Sequence, residues 1–188
     1  MDQSIIKRDL RGIDTLMSSV SAQPVGDILE PEVRHLDNMA AIYKHGQNQH
    51  HEAFSDIFCP AVGRDEIIRH MRHYFPPKNP FKSRRNYSLA WIVENELRGY
   101  LLYQLYETSN IFYGKECWIC FVDDIAVDPI YRSHGGASML LTELTKKLEK
   151  LGDYIVSGQV WNGNDASVAL FRKHGFDNRS NNFYRTNR

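Results

Sequence analysis

The spacing of apolar positions changes several times along the chain, and each change marks an element. Ile6, Leu10, Ile13, Met17 and Val20 recur at intervals of 4, 3, 4 and 3, one face of a helix. Residues 1–23 therefore read as an N-terminal helical extension, interrupted in propensity by Gly12, ahead of a domain spanning 24–188. Val25–Glu30 has the length and character of a short strand. Pro31 suits the first turn of a helix running to about His45, with Val33, Leu36, Met39, Ala40 and Tyr43 on one face. Gly46–Pro60 is polar and rich in histidine and reads as a loop with some helix. Arg64–Tyr74 is a second helix carrying Ile67, Ile68 and Met71, stopped by Pro76, Pro77 and Pro80.

The middle of the chain shifts to strand-like runs. Tyr87–Val93 and Leu97–Tyr106 form a hairpin across Glu94-Asn95-Glu96, and Trp118–Val127 is apolar except for Asp123 and Asp124. Helical spacing returns over Gly135–Leu151 through Met139, Leu140, Leu141, Leu144 and Leu148, with Gly152 as the stop. Tyr154–Trp161 is a further strand and Ala166–His174 a short helix ended by Gly175. Phe176–Arg185 has room for two short strands. The order β-αα-βββ-α-β-α-ββ is an α/β fold of the α+β type, a mixed sheet with helices on its faces.

Composition narrows the class. The 188 residues are 42 % hydrophobic and 24 % charged, a globular composition that needs no disulfide or metal staple. Lys+Arg and Asp+Glu are equal at 23 each, so there is no basic excess of the kind that holds a protein on nucleic acid. No apolar run is long enough to span a membrane. Three cysteines, Cys59, Cys117 and Cys120, are too few for a secreted disulfide framework, and a reducing cytoplasm is the expected compartment.

The chemistry concentrates in Ile125-Ala126-Val127-Asp128-Pro129-Ile130-Tyr131-Arg132-Ser133-His134-Gly135-Gly136-Ala137. Here a strand runs through a turn into a glycine-opened helix. The first amides of a helix lack internal partners, and its dipole makes that end attractive to anions. Small residues at 135–137 let a phosphate approach the main chain. Neither a Walker-type loop nor a dinucleotide fingerprint is present: no Lys-Ser/Thr follows the glycines, and a lone Gly135-Gly136 is not G-x-G-x-x-G. A glycine pair opening a helix is equally compatible with close packing alone.

Two motifs make the segment specific. Arg132-x-x-Gly135-x-Ala137, after a strand ending Asp-Asp-Ile-Ala-Val, resembles the R/Q-x-x-G-x-G/A motif of the GNAT superfamily of N-acetyltransferases. About 30 residues on, Asn164-x-x-Ser167-Val168-x-Leu170-Phe171-x-Lys173-x-Gly175-Phe176 resembles the same family's second helix motif. The resemblance covers roughly Val25 to Arg185, in outline only over Gly46–Arg85. Asp123-Asp124 and Trp161-Asn162 add a fainter resemblance to diamine acetyltransferases.

The resemblance implies a fold, a cosubstrate and roles. The sheet would be splayed, with the strand of Ile125, Ala126 and Val127 parting from Tyr154–Trp161 so that pantetheine pairs with the free backbone edge. Acetyl-CoA would be the cosubstrate, its pyrophosphate held by the amides of Gly135, Gly136 and Ala137, with Arg132, Ser133 and His134 nearby. Asn164, Ser167 and Phe171 match positions that contact the pantetheine arm or line it. No metal is implied. The acceptor would be an amine of a small molecule or peptide, acetylated by direct attack, with no nucleic acid or membrane as partner and a homodimer permitted.

A protonated amine cannot attack a thioester, so a base must take its proton. Asp123 matches the family's strand carboxylate in that role. Asp124 points to the opposite face if the strand is regular. Two adjacent acids can equally cap a loop or bind a backbone group. The family's usual acid, a tyrosine, is replaced by Phe171, which has no proton to give. Tyr184, Ser167 or water takes that role, or the thiolate leaves unaided, its conjugate thiol having a pKa of only about 8.5. Loss of the tyrosine also leaves open a non-catalytic acyl-CoA sensor or interaction module. Cys117-x-x-Cys120 lacks the second ligand pair a metal centre needs; His50-His51 and His70-x-x-His73 could hold a metal on a helix face but read as solvated or hydrogen-bonded histidines, and Lys78, Lys82, Arg84 and Arg85 read as a solvated basic run.

Overall fold

The computed structural model describes residues 26–75, 84–108 and 116–180. The proposed extension over 1–23, the last-hairpin tyrosine Tyr184, and Lys78 and Lys82 lie outside these residues. A five-stranded sheet has the order β1 (Asp27–Leu29), β2 (Arg84–Val93), β3 (Glu96–Thr108), β4 (Cys117–Val127) and β5 (Tyr154–Gly158). The first three pairings are antiparallel, and β4 and β5 run parallel. Helices α1 (Leu36–Ala53) and α2 (Arg64–Met71) cover one face, and α3 (Gly136–Glu149) and α4 (Asp165–Lys173) cover the other. The predicted succession through the second short helix is therefore present, and the architecture is the expected mixed α/β sheet.

Each face has its own core. Leu36, Met39, Ala40 and Ile42 of α1 and Ile67 and Met71 of α2 pack on Ala90, Ile92, Tyr100 and Leu102. Leu140, Leu141, Leu144 and Leu148 of α3 pack on Leu89, Trp91, Leu101, Cys120 and Val122. Alternating residues of β2 to β4 thus serve opposite layers, as a strand period of two requires.

Several boundaries differ from the sequence reading, each for a local reason. Val33 is 70 % exposed because Val33–His35 is a 3₁₀ turn ahead of α1, closed by a reciprocal Glu32–His35 capping box. α1 then continues through Gly46 to Ala53, where a loop with some helix was expected. Gln, His and Glu are compatible with helix, and the polarity of this segment reflects two mostly solvent-facing turns. The β2–β3 turn is two residues long, since Glu96 already pairs with Val93; Glu94 and Asn95 take φ of 52° and 64°. β5 ends at Gly158 and does not reach Trp161. That ring instead packs on Phe54 and Phe58, with centroids 5.7 and 4.7 Å away. Residues 176–180 form no strand.

Candidate active site: a parted strand pair and a helix N-terminus

The site begins where two strands separate. β4 and β5 pair only from Trp118–Tyr154 to Val122–Gly158. Beyond that point Asp123–Val127 keeps β3 on one side and has no strand on the other among the described residues. Phe171 of α4 lies at the fork: its ring is buried, packs edge-on against Phe176 at 4.8 Å, and faces Gly158 and Val122.

A bulge sits at the same place. Leu102 pairs with Asp124 and Tyr103 with Val122, so Asp123 is the extra residue of β4. The strand is therefore not regular, and the expected separation of the two acids onto opposite faces does not occur. Both carboxylates meet side chains of the α1/α2 side. Gln104 Nε2 donates to Asp123 Oδ1 at 2.9 Å, and the Tyr74 hydroxyl also bonds Asp123. The Tyr100 hydroxyl donates to Asp124 Oδ2 at 2.6 Å.

The electrostatics follow from this crowding. Burial pushes Asp124 up to about 6, and the charge of Asp123 adds to the shift against the Tyr100 bond and the Ile125 amide. Burial, then the charge of Asp123, raises Tyr74 to about 12, and Tyr100 stands well above its ordinary value for the same reason with Asp124 as partner. His70, ringed by Tyr43 and Tyr74 at 5.7 and 5.6 Å, is lowered by burial and by His73, with Asp123 opposing. At neutral pH the pair is thus surrounded by neutral hydroxyls and a neutral imidazole. Tyr43, His70, Tyr74, Tyr100 and Gln104 were not singled out from sequence as site residues. The one available signal was the even spacing of Tyr100 and Gln104, which puts both on one face of β3.

From Val127 the chain turns through Pro129–Tyr131 into α3. Asp128 Oδ1 accepts from the Ile130 amide at 3.1 Å, and the Asp128 amide donates to Arg98 O at 2.8 Å. The Arg98 guanidinium stacks on the Tyr131 ring at 4.5 Å, fastening the turn to β3. Ser133 and Gly135 have φ of 66° and 83°, and Gly135 is the N-cap residue of α3. This left-handed cap presents the first-turn amides of α3 with no acidic side chain among them. Gly136 is buried against Trp91, Ala137 is half-exposed, and Ser138 Oγ pairs with His174 Nε2 at 2.7 Å, joining α3 to α4.

The remaining sequence candidates lie on β4, on the turn into α3 and at the start of α4. Ile125 and Val127 turn toward the α3 layer and Ala126 toward the α1 layer. Arg132 is exposed at the rim, where Nε donates to Val127 O at 3.3 Å and a terminal nitrogen to Gln49 Oε1 at 3.4 Å. His134 Nδ1 lies 2.8 Å from Arg132 O. Asn164 caps α4, its Oδ1 accepting from the Ser167 amide at 3.1 Å. Among the described residues no group of three or more His, Cys, Asp or Glu could hold a metal, and no helix is long and apolar enough to cross a membrane.

Sequence comparison decides the family: residues 48–176 match the profile of the acetyltransferase (GNAT) family, well over half of the chain. The chain belongs to the GNAT acetyltransferase family. Solved GNAT-fold structures superpose on it at low sequence identity. A mutant of the BH1408 protein from Bacillus halodurans aligns with a TM-score of 0.69 at 16 % identity, covering 84 % of this chain and 97 % of that one. The aminoglycoside N-acetyltransferase AAC(6')-Iy in complex with CoA gives 0.60 at 16 %, covering 86 % and 94 %. An aminoglycoside acetyltransferase, meta-AAC0020, from an uncultured soil metagenomic sample gives 0.57 at 18 %, covering 86 % and 96 %. No curated protein matches the chain in sequence. In this GNAT protein β4 runs from its last pairing with β5, through the bulge that carries the acid pair, to the turn that opens α3.

Proposed function

We propose that the protein is an N-acetyltransferase that moves the acetyl group of acetyl-CoA to a primary amine of a small molecule or peptide in a ternary complex. The observation that carries this reading is that β4 continues to Val127 past its last pairing with β5 at Val122–Gly158, leading from an acid pair to the left-handed Gly135 cap of α3. The pyrophosphate would rest on the amides of Gly135, Gly136 and Ala137, with Arg132, Ser133 and His134 at the rim. The pantetheine arm would pair with the backbone of Ile125, Ala126 and Val127 and reach Asn164 and Ser167.

The Asp123 carboxylate is the base. It takes one proton from the acceptor ammonium, directly or through a water; the freed nitrogen lone pair forms the C–N bond at the thioester carbonyl. The C–S bond then breaks, its electron pair leaves on sulfur, and the second proton of the attacking nitrogen passes to water or to the departing thiolate, which leaves the neutral amide. Phe171 supplies no proton there, so the thiolate leaves as such or is protonated by Tyr184, Ser167 or water. A thiol of pKa about 8.5 makes unaided departure feasible near neutrality.

A second reading has one observation in its favour. With phenylalanine buried at the fork, the protein could hold acyl-CoA without transferring the acyl group, as a sensor or interaction module. Thiol release from acetyl-CoA, measured with a panel of aliphatic amines, separates the two. Transfer that an Asp123→Asn variant loses supports the enzyme. Tight coenzyme binding with no amine raising turnover above that variant supports the sensor.

A further inference from the structure

Gln104 follows Tyr100 and Leu102 on the face of β3 that the α1/α2 layer covers. Its amide reaches across to the β4 bulge, where Nε2 donates to Asp123 Oδ1 at 2.9 Å. An ionised carboxylate only accepts hydrogen bonds, so this contact fixes which way round the amide lies. The Tyr74 hydroxyl also meets Gln104, in a contact that favours the ionised phenol, as only a donor to its oxygen does. The donor end of the amide is thus in use. The acceptor end, Oε1, is buried and has no hydrogen-bond partner among the described residues. Hydroxyls nearby are engaged elsewhere: Tyr100 donates to Asp124 at 2.6 Å and Ser88 to Tyr74 O at 3.0 Å. A buried carbonyl left without a donor is costly, and beside the carboxylate of a bulge it calls for a ligand's N–H or for a water.

We propose that Gln104 is a specificity-determining residue of the acceptor site: its Oε1 accepts an N–H of the acceptor ammonium while its Nε2 holds the Asp123 carboxylate alongside. The inference rests on the reading of the protein as an acetyltransferase with Asp123 as base. Oε1 and Nε2 share one carbon, so a nitrogen seated on Oε1 also lies close to Asp123. Reaching both takes two N–H bonds on one nitrogen, and an unhindered primary alkylammonium has three. Gln104 itself neither gives nor takes a proton. One N–H proton passes to Asp123, and the nitrogen lone pair it leaves forms the C–N bond, as in the proposed reaction. A carbonyl suits this place because it only accepts. It holds an N–H of the neutral amine and leaves the lone pair to the thioester carbon, whereas a hydroxyl could donate to that lone pair.

Steady-state kinetics of the full chain with acetyl-CoA and unbranched primary alkylamines, butylamine to octylamine, test this with two variants of similar size. Gln104→Met removes the acceptor and the donor together, so the amine KM should rise about tenfold or more. Gln104→Glu keeps an acceptor oxygen but has no donor for Asp123, so kcat should fall while the amine KM rises no more than about threefold. Acetyl-CoA affinity, measured by calorimetric titration, should be unchanged in both. An amine KM unchanged in Gln104→Met means that Oε1 meets only water and overturns the inference. An equal rise in both variants leaves Gln104 with Asp123 alone and also overturns it. A third arm needs no variant and stays decisive if either folds poorly. The N,N-dimethyl derivative of the best acceptor carries one N–H as its ammonium, so as an inhibitor it should bind about tenfold or more weakly than the parent amine. Binding as tight as the primary amine's overturns the inference. A parent protein that binds acetyl-CoA and acetylates no amine of the series overturns the acetyltransferase reading and this inference with it. Transfer without the expected KM pattern overturns the inference alone.

Discussion

Gly136 lies flat against the indole of Trp91: a Cβ on that glycine would stand 2.1 Å from Trp91 Cε3 and 2.4 Å from Cζ3. The glycine that opens α3 is therefore required by the layer beneath the helix, whatever binds above it. Trp91 is fully buried and meets the Tyr131 ring edge-on at 6.4 Å, so it supports the preceding turn as well. Close packing sets the height at which the first amides of α3 are presented.

Gly136→Ala should then cost about 1–3 kcal/mol of stability through overpacking, with a matching loss of coenzyme affinity as the helix start is displaced. The cost should shrink in a Trp91→Leu background, because the clash is with that ring. A double-mutant cycle by chemical denaturation measures the coupling. Additive costs would mean that Trp91 is not what the glycine accommodates.

The acid pair makes a pH-dependent prediction for stability. The folded midpoint of Asp124 lies above its ordinary 3.8, at about 6, so the folded state binds the extra proton between those values. Stability is then greatest below about 4 on this account and declines as pH rises through about 6, by at most about 3 kcal/mol. Asp124→Asn carries no such charge. Its Tm relative to the parent should rise by several degrees between about pH 4.5 and pH 7. A Tm difference that does not change with pH would contradict the burial of this charge.

Asn164 has two separable functions. Its Oδ1 caps α4 at the Ser167 amide, and in the proposed complex its amide nitrogen would donate to the coenzyme. Asn164→Ala should lose about 1 kcal/mol of stability and also coenzyme affinity. Asn164→Asp keeps the capping oxygen, so stability should stay within about 0.5 kcal/mol of the parent while affinity falls through loss of the donor. Denaturation and calorimetric titration on the same samples check this. Equal affinity in the parent and Asn164→Asp would remove Asn164 from the coenzyme site.

Phe171→Tyr tests the missing acid. The ring is buried against Gly158 and Phe176, so an added hydroxyl without a partner should cost about 1–3 kcal/mol. If thiolate departs unaided, turnover should change by less than about threefold. A rise of about tenfold or more would show that protonation of the leaving group limits this protein.

Much of the architecture was legible because apolar period and glycine stops act locally. Leu140, Leu141, Leu144 and Leu148 announce α3, and the Glu94–Asn95 turn announces the hairpin. The opening between β4 and the segment after β5 was legible through the resemblance carried by Arg132 to Ala137 and Asn164 to Phe176. Three features were not legible. The bulge at Asp123 is a register shift fixed by pairing with β3, and an alternation rule applied to β4 alone sends Asp124 to the wrong face. The end of β5 is fixed by Trp161 finding Phe54 and Phe58, over 100 residues earlier in the chain. The hydroxyl and imidazole ring around the acids comes from α1, the α2 segment and β3, and no local spacing joins them.

The central claim is that the parted strands and the α3 N-terminus together bind acetyl-CoA. Thermal-shift titration with acetyl-CoA, free CoA and ATP in parallel tests it most directly. A ligand at about 100 times its Kd stabilises the folded state by about 2.7 kcal/mol. The account predicts a rise in Tm with acetyl-CoA and with CoA and none with ATP at the same concentration. No shift with either coenzyme, or an equal shift with ATP, would contradict it.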